Sequence, residues 1–428
     1  MTGRFMLTAT AIGLLLGACG DGEPDAGVVE PTTQAVTLRD PSHLVEVEDP
    51  PLFERGVAAE GIDAPTTLAF GPDGRLYVGQ QNGRIVALTL DRGVAVATEV
   101  IAGEDVFGEV LGIAFNPTDG PEPVTLYVSH TQLYRGLEGP AYAGAVARLV
   151  APVFAPVDIV SGLPVSAAEH GTNGISFDEA GRLYIAQGGT TNAGVPSERH
   201  PRPETPLSSA ILIADLGAPG FDGAMRYAPP DEASDTVDLA GGGVRVFAAG
   251  FRNPYDLVLH SNGRIYATDN GPNEPDGVAS LGCDADGEGV AGPDELNLIV
   301  EGGYYGHPNR NRGRADERQC TYRPPTDATD GTTGPIATLG YHTSSNGLAE
   351  YRSDAFGGAL LGDLLYVEWV TGRVWRVMLS DDGASVEGIA RLVPEEFEAP
   401  LDVAVAPDGT VYIAEQRAGR IAYLAPAE

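Results

Sequence analysis

Positive charge is scarce in this chain: 60 acidic residues face 26 basic ones, a formal net charge of −34 over 428 residues. Such a balance excludes nucleic acid, whose phosphates demand a cationic surface, and electrostatic docking on anionic lipid. It fits a soluble surface in a salty or extracellular setting. Cysteine is nearly missing, at three residues with no Cys-x-x-Cys pair. There is no phosphate-cradling loop with its lysine, no His-Glu-x-x-His and no Gly-x-Ser-x-Gly. Nucleotide hydrolysis, zinc peptidase chemistry and the common serine hydrolases therefore leave the front rank. Beyond the N-terminus no segment has a convincing helical period.

At that terminus Arg4 precedes an apolar run, Met6 to Leu16, too short to span a bilayer. Leu16-Gly17-Ala18-Cys19 resembles a bacterial lipobox, which predicts cleavage before Cys19 and lipidation of its thiol. The expected organisation is a signal over 1–18, a lipid-anchored tether over 19–45 without periodicity, and a folded domain over 46–428. The protein is then an exported lipoprotein touching the membrane only through its anchor. In an oxidising compartment Cys283 and Cys320, which flank one long irregular insertion, are expected to form a disulfide; two buried free thiols are the alternative.

Self-similarity is the clearest internal signal. LAFGPDGRLYVGQQNGRIVAL (68–88) reads as strand, Pro-Asp-Gly turn, strand, Asn-Gly turn, strand. Related runs recur at 111–129, 174–189, 256–270, 347–377 and 402–424, anchored by Tyr77, Tyr127, Tyr184, Tyr266, Tyr366 and Tyr412. Six small sheets with period-two alternation bury both faces only by stacking around an axis. The prediction is an all-β, six-bladed β-propeller, closed by a strand at Leu52–Ala59 that completes the sheet begun by Asp402–Leu424. The excess length falls at Thr190–Ala210 and Gly271–Gly340, long loop insertions expected on one binding face.

Chemistry concentrates before the first strands of the third and fourth units. His170, in Glu169-His170-Gly171-Thr172-Asn173, would point at the central channel as a proton acceptor with Glu169 orienting it; a structural turn histidine is the alternative. Arg252 and Asn253 precede the next unit in the same relation, where the arginine could bind a carboxylate or stabilise an oxyanion, or simply be tied to a glutamate or carbonyl. Asp294-Glu295 with Tyr305, and Asp284-Ala285-Asp286-Gly287-Glu288, offer the hard oxygens calcium prefers, although so acidic a chain needs no metal to explain them.

The segments GFRNPYDL, YATDNGP and DELNLIVEGGYYGHP, with His170 ahead of ISFDEAGRLYIAQGG, resemble the glucose/sorbosone dehydrogenase family over about Leu52 to Leu424. Those soluble quinoproteins are six-bladed propellers that bind pyrroloquinoline quinone (PQQ) and calcium. The resemblance implies that His170 is the general base and that Arg252 lies beside the quinone oxygens. Asn253 and, where the family often has glutamine, Asn270 become cofactor contacts. Gly271 and Pro272 become carbonyl ligands of the cofactor's calcium, and Glu295 and Tyr305 part of a second, structural calcium site. The chain departs from the pattern at Val370 (lysine expected), Ala399 and Leu401 (arginines), Phe107 (acid or amide) and Gly340 (aromatic); Arg373 and Arg417 are possible substitutes for the missing cations. The implied activity is oxidation of aldose sugars or related hydroxyl or aldehyde compounds, with the electron acceptor unspecified. A non-catalytic, calcium-stabilised propeller binding glycan or protein is the alternative, and a lactonase-like metal hydrolase, which needs a side-chain metal shell in the channel, a third.

Overall fold

The computed structural model describes residues 43–47, 50–131, 141–166, 170–228, 236–325 and 331–427. Cys19, nearly all of the expected tether, and Glu169 lie outside the described residues.

Six four-stranded antiparallel sheets follow one another along the chain. The first blade is Pro65–Phe70, Leu76–Gln80, Ile85–Asp91 and Val94–Ala102. The second is Glu109–Ala114, Thr125–Thr131, Gly144–Val150 and Val157–Leu163. Next come Thr172–Phe177, Leu183–Gln187, Ala210–Ala214 and Val244–Ala249 as the third, and Pro254–Leu259, Ile265–Asp269, Pro293–Ile299 and Ala337–Tyr341 as the fourth. Ser345–Glu350, Leu364–Glu368, Arg373–Leu379 and Val386–Arg391 form the fifth. The sixth takes Pro400–Val405, Val411–Glu415 and Arg420–Pro426, and its outer strand is Phe53–Glu60 from the far end of the chain, paired antiparallel with Arg420–Pro426. The first strands of the blades pack in sequence around a closed ring, the last against the first. This is the expected six-bladed propeller with its closing strand, one residue displaced from the sequence estimate.

The period-two alternation has a simple packing consequence: inward-facing residues of neighbouring blades share cores. Tyr127 of the second blade packs with Phe177 and Ile175 of the third, and Val367 of the fifth with Val403 and Ile413 of the sixth. Each such side chain contributes about 1.5–3 kcal/mol on burial, so stability is distributed around the ring. Hairpin turns take the residues their geometry demands; Gly74 of the Pro-Asp-Gly turn sits at φ 76°.

Tyr255, on the fourth inner strand, reaches across the axis to place its hydroxyl 3.5 Å from the Thr66 carbonyl of the first blade. Beyond it the axis holds a channel of about 320 Å³ lined by inner strands of all six blades, including Asp256 and Asp402. The start of each inner strand lies opposite the end of the second strand of its own blade: Pro65 with Gln80, Glu109 with Thr131, Thr172 with Gln187, Pro254 with Asp269, Ser345 with Glu368, Pro400 with Glu415. The loops leading into the inner strands thus meet at one mouth, with Tyr255 at its floor.

Candidate active site at the mouth of the propeller

Polar residues that end second strands hold the loops of the mouth. The Asp269 carboxylate accepts the backbone N–H groups of Arg252 (3.0 Å) and Asn253 (2.7 Å), and Glu415 accepts that of Glu398 (2.8 Å). The Gln187 amide donates to the carbonyls of Gly171 (2.9 Å) and Pro164 (2.6 Å). A typical hydrogen bond contributes about 0.5–1.5 kcal/mol net, and together these bonds fix the backbone from which His170 and Arg252 project.

His170 is fully buried, and its Nδ1–H donates to the Gly189 carbonyl at 2.8 Å. That bond fixes the tautomer and leaves Nε2 as the lone pair; Nε2 is buried and has no hydrogen-bond partner among the described residues. Burial, then the nearby Arg252 and His200, hold the imidazole well below its ordinary pKa, so it is neutral with its lone pair on Nε2. Gly189 joins the two expected catalytic residues, since its N–H donates to the Arg252 carbonyl (2.7 Å) while its carbonyl accepts from His170. No side chain fits there: a Cβ on Gly189 would lie 2.7 Å from Ser209 Oγ and 2.9 Å from the Arg252 carbonyl oxygen.

Arg252 is 2 % exposed. Its Nε donates to Asn192 Oδ1 (3.0 Å) and Nη1 to the Asn270 carbonyl (3.3 Å), and among the described residues no carboxylate pairs with its guanidinium. A buried guanidinium met only by neutral acceptors is under-neutralised, a state that favours an anionic or carbonyl-rich ligand. Asn253 Oδ1 accepts from Asn173 Nδ2 (2.9 Å) and Asn270 Nδ2 donates to Asn346 Oδ1 (3.1 Å), so both expected contacts sit in a row of amides along the mouth.

Sequence reasoning missed the support behind this pair. His200 stacks on His170 with ring centroids 4.8 Å apart, and its Nδ1 lies 3.0 Å from Ser166 Oγ. Buried Glu204 accepts from the N–H groups of Thr190 (3.1 Å) and Thr191 (2.9 Å), from Ser209 Oγ (2.7 Å) and from His307 Nε2 (3.1 Å). Burial opposes its ionisation, but the hydrogen bonds from His307, Ser208 and Thr191 prevail and bring its pKa to about 2. The signals were the flagged Thr190–Ala210 insertion, which contains Asn192, His200 and Glu204, and the GGYYGHP segment that ends in His307.

A model of the family described as Glucose / Sorbosone dehydrogenase matches residues 62–423. The chain belongs to the glucose/sorbosone dehydrogenase family. It is 24 % identical over 278 residues to quinoprotein glucose dehydrogenase B of Acinetobacter calcoaceticus, a match spanning 60 % of this chain and about half, 52 %, of that relative. In fold it is similar to the PQQ-bound aldose sugar dehydrogenase of Streptomyces coelicolor (TM-score 0.59, 19 % identity, 88 % of this chain and 99 % of the other). It is also similar to the apo soluble aldose sugar dehydrogenase of Escherichia coli (TM-score 0.61, 19 % identity, 88 % and 100 %).

Gly271, Pro272, Glu295 and Tyr305, expected from the sequence as calcium ligands, are each engaged within the fold. The Gly271 N–H donates to Asp294 Oδ1 (3.1 Å) and the Pro272 carbonyl accepts from Gly292 (2.9 Å), so this segment is stapled to the strand beginning at Pro293. Glu295, opposite Asp269, accepts from Asn297 Nδ2 (3.1 Å). The Tyr305 hydroxyl donates to the Leu298 carbonyl (2.5 Å) and accepts from Val300 N–H (3.0 Å) while its ring stacks on Phe251, so that side chain works inside the core. Among the described residues no three His, Cys, Asp or Glu side chains are grouped as a metal site. Cys283 and Cys320 are joined in a disulfide that staples the insertion, and the run from Asp284 to Glu288 forms part of a short ribbon with Val278–Gly282.

The departures from the family pattern also have physical settings. Val370 is 52 % exposed, whereas Ala399 and Leu401 are buried. Phe107 packs on the His130 ring, and Gly340 adopts φ 111°, a conformation an aromatic residue would resist. Arg373 lies 3.7 Å from Glu396 and Arg417 lies over the Trp369 ring.

Proposed function

We propose that the protein is a PQQ- and calcium-dependent dehydrogenase that oxidises aldose sugars or related hydroxyl compounds. The observation that carries this reading is the buried, neutral His170 with its bare Nε2 beside the under-neutralised Arg252, at the mouth of a glucose/sorbosone dehydrogenase propeller. The residues fit the group: a buried cation without a carboxylate partner among the described residues suits quinone and carboxylate oxygens, and the backbone carbonyls of Gly271 and Pro272 have the donor type of a hard cation. When bound, PQQ supplies a two-electron acceptor. His170 Nε2 takes the proton of the substrate hydroxyl, with Nδ1–H held on Gly189 so that the ring neither rotates nor changes tautomer. Arg252 and the amides of Asn253 and Asn270 bind and orient, and Arg252 meets negative charge as it develops. Tyr255 closes the axis beneath them and separates the site from the lower channel.

The test is reconstitution with PQQ and calcium, followed by reduction of an artificial electron acceptor across a panel of aldoses. Sugar-dependent reduction that His170→Gln abolishes is expected; no reduction and no protein-bound cofactor spectrum overturns the reading. We infer further, from the lipobox-like Leu16–Cys19 run, an exported lipoprotein acylated at Cys19; mass spectrometry of the mature N-terminus checks this, and an unmodified Cys19 refutes it.

A further inference from the structure

We propose that Arg417, seated on Trp369, is a second cationic arm of the same cleft and receives a carboxylate of the bound quinone; this rests on the function proposed above. The chain contains no lysine, so every fixed side-chain cation other than a protonated histidine is an arginine. At a site for a multiply charged anion, Arg252 alone leaves the other carboxylates to be desolvated without a partner, at several kcal/mol each by general estimate. Beside the metal, a second guanidinium on the same mouth lowers that cost.

A hydrogen-bonded rim leads from Arg252 to Arg417. Arg252 Nη1 donates to the Asn270 carbonyl, Asn270 Nδ2 to Asn346 Oδ1 (3.1 Å), and Asn346 Nδ2 to Ser344 Oγ (3.0 Å). The Ser344 carbonyl accepts from Trp369 N–H (3.0 Å), and Trp369 Nε1 donates to Gln416 Oε1 (2.6 Å). Gln416 Nε2 in turn reaches Gln81 Oε1 (3.3 Å) on the first blade. The Arg417 guanidinium lies 4.8 Å from the centroid of the Trp369 ring. It is exposed and, among the described residues, has neither an ion pair nor a hydrogen bond.

Arg417 lies beside Val370 and Ala399, where the family resemblance predicts cations. Arg417 touches Trp369, the residue before Val370, and follows Gln416, whose N–H donates to the Ala399 carbonyl (3.1 Å). One guanidinium therefore stands between the two loops from which cations are absent. Stacking on the indole orients it at little entropic cost while its N–H edges stay free.

The chain has two tryptophans. Trp375 is buried at 6 % exposure, so quenching of intrinsic fluorescence reports chiefly on Trp369. The full-length protein and its Arg417→Gln and Arg417→Lys variants are titrated with PQQ in the presence of calcium, by fluorescence and by calorimetry, and then with the trimethyl ester of PQQ. Arg417→Gln is expected to weaken PQQ binding tenfold or more, to leave ester binding within twofold and melting unchanged, with Arg417→Lys in between. Undiminished PQQ affinity in Arg417→Gln, or an equal loss for the ester, overturns the role of Arg417 and leaves the proposed function standing. Absence of PQQ binding by the unsubstituted protein overturns both.

Discussion

Glu204→Gln isolates what the buried scaffold contributes, because Glu204 is given no contact with substrate. Its carboxylate accepts from backbone N–H groups of Thr190 and Thr191, from hydroxyls of Thr191, Ser208 and Ser209, and from His307 Nε2. Replacing charge-assisted by neutral hydrogen bonds costs about 1 kcal/mol per donor, or about 6 kcal/mol for these donors. About half returns because a buried charge is no longer desolvated, leaving about 3 kcal/mol. With an unfolding entropy of about 2.1 cal/mol/K per residue over the propeller, the melting temperature should fall by about 4 °C. The same bonds position Asn192, whose Oδ1 holds Arg252 Nε, and close the loop that carries His200 onto His170. Activity should therefore fall by about tenfold, the order of a one-ångström misplacement or less. Differential scanning fluorimetry and steady-state assays of the reconstituted protein measure both quantities. A melting temperature within 1 °C of the parent, or lower stability with unchanged kcat/KM, would refute the chain of support from Glu204 to Arg252.

Three other outcomes are expected. Because burial and Arg252 hold the His170 imidazole below its ordinary pKa of 6.5, the acid limb of kcat/KM should lie well below pH 6.5; a limb at that value would mean a solvated base. Asp256 and Asp402 are raised by burial, Asp256 to about 7 and Asp402 further by its neighbour Asp256, so between pH 4 and 7 the folded state keeps protons that the unfolded state releases. Their contribution is present at low pH and lost as pH rises, at about 1.4 kcal/mol per pH unit for each proton. Asp256→Asn should flatten that slope in melting curves while lowering stability at pH 5, because one amide oxygen cannot accept from both Leu257 and Leu348; an unchanged slope would remove Asp256 from the account. Deleting 1–60 removes the strand paired with Arg420–Pro426 and exposes that edge. It should destabilise the ring by several kcal/mol by this argument and promote association, and unchanged thermal unfolding of a monomer would contradict closure by this strand.

Six repeats were legible because each blade repeats a local period and a turn whose chemistry is encoded within a few residues, as in Pro72-Asp73-Gly74 ahead of Tyr77. The placement of His170 and Arg252 at the mouth was legible for the same reason, since each stands two residues before an inner strand. The mouth's supports were not. Glu204 acts on residues 13 to 14 positions upstream and on His307, 103 positions away, and nothing in a linear pattern tells a buried acceptor from one acid among 60. Tyr305 shows the converse: a residue selected as an oxygen donor for metal sits with its ring on Phe251 and its hydroxyl on backbone groups.

In four of the six repeats the signature holds more than its tyrosine. Tyr77 is followed three residues later by Gln80, Tyr184 by Gln187, Tyr266 by Asp269 and Tyr412 by Glu415. The tyrosine lies at the base of a blade, where Tyr77 for instance bonds the turn aspartate Asp73 (3.0 Å), while the polar residue ends the strand under the mouth. Where its bonds are described, it grips backbone of a loop leading inward: Asp269 holds Arg252 and Asn253, Gln187 holds Gly171, and Glu415 holds Glu398. In the third, fourth and sixth blades one short motif therefore reaches from the base of the blade to a loop of the mouth, and forming the second strand also places that loop. Part of the chain's acidity is thereby put to work inside the fold, as acceptors of backbone N–H groups.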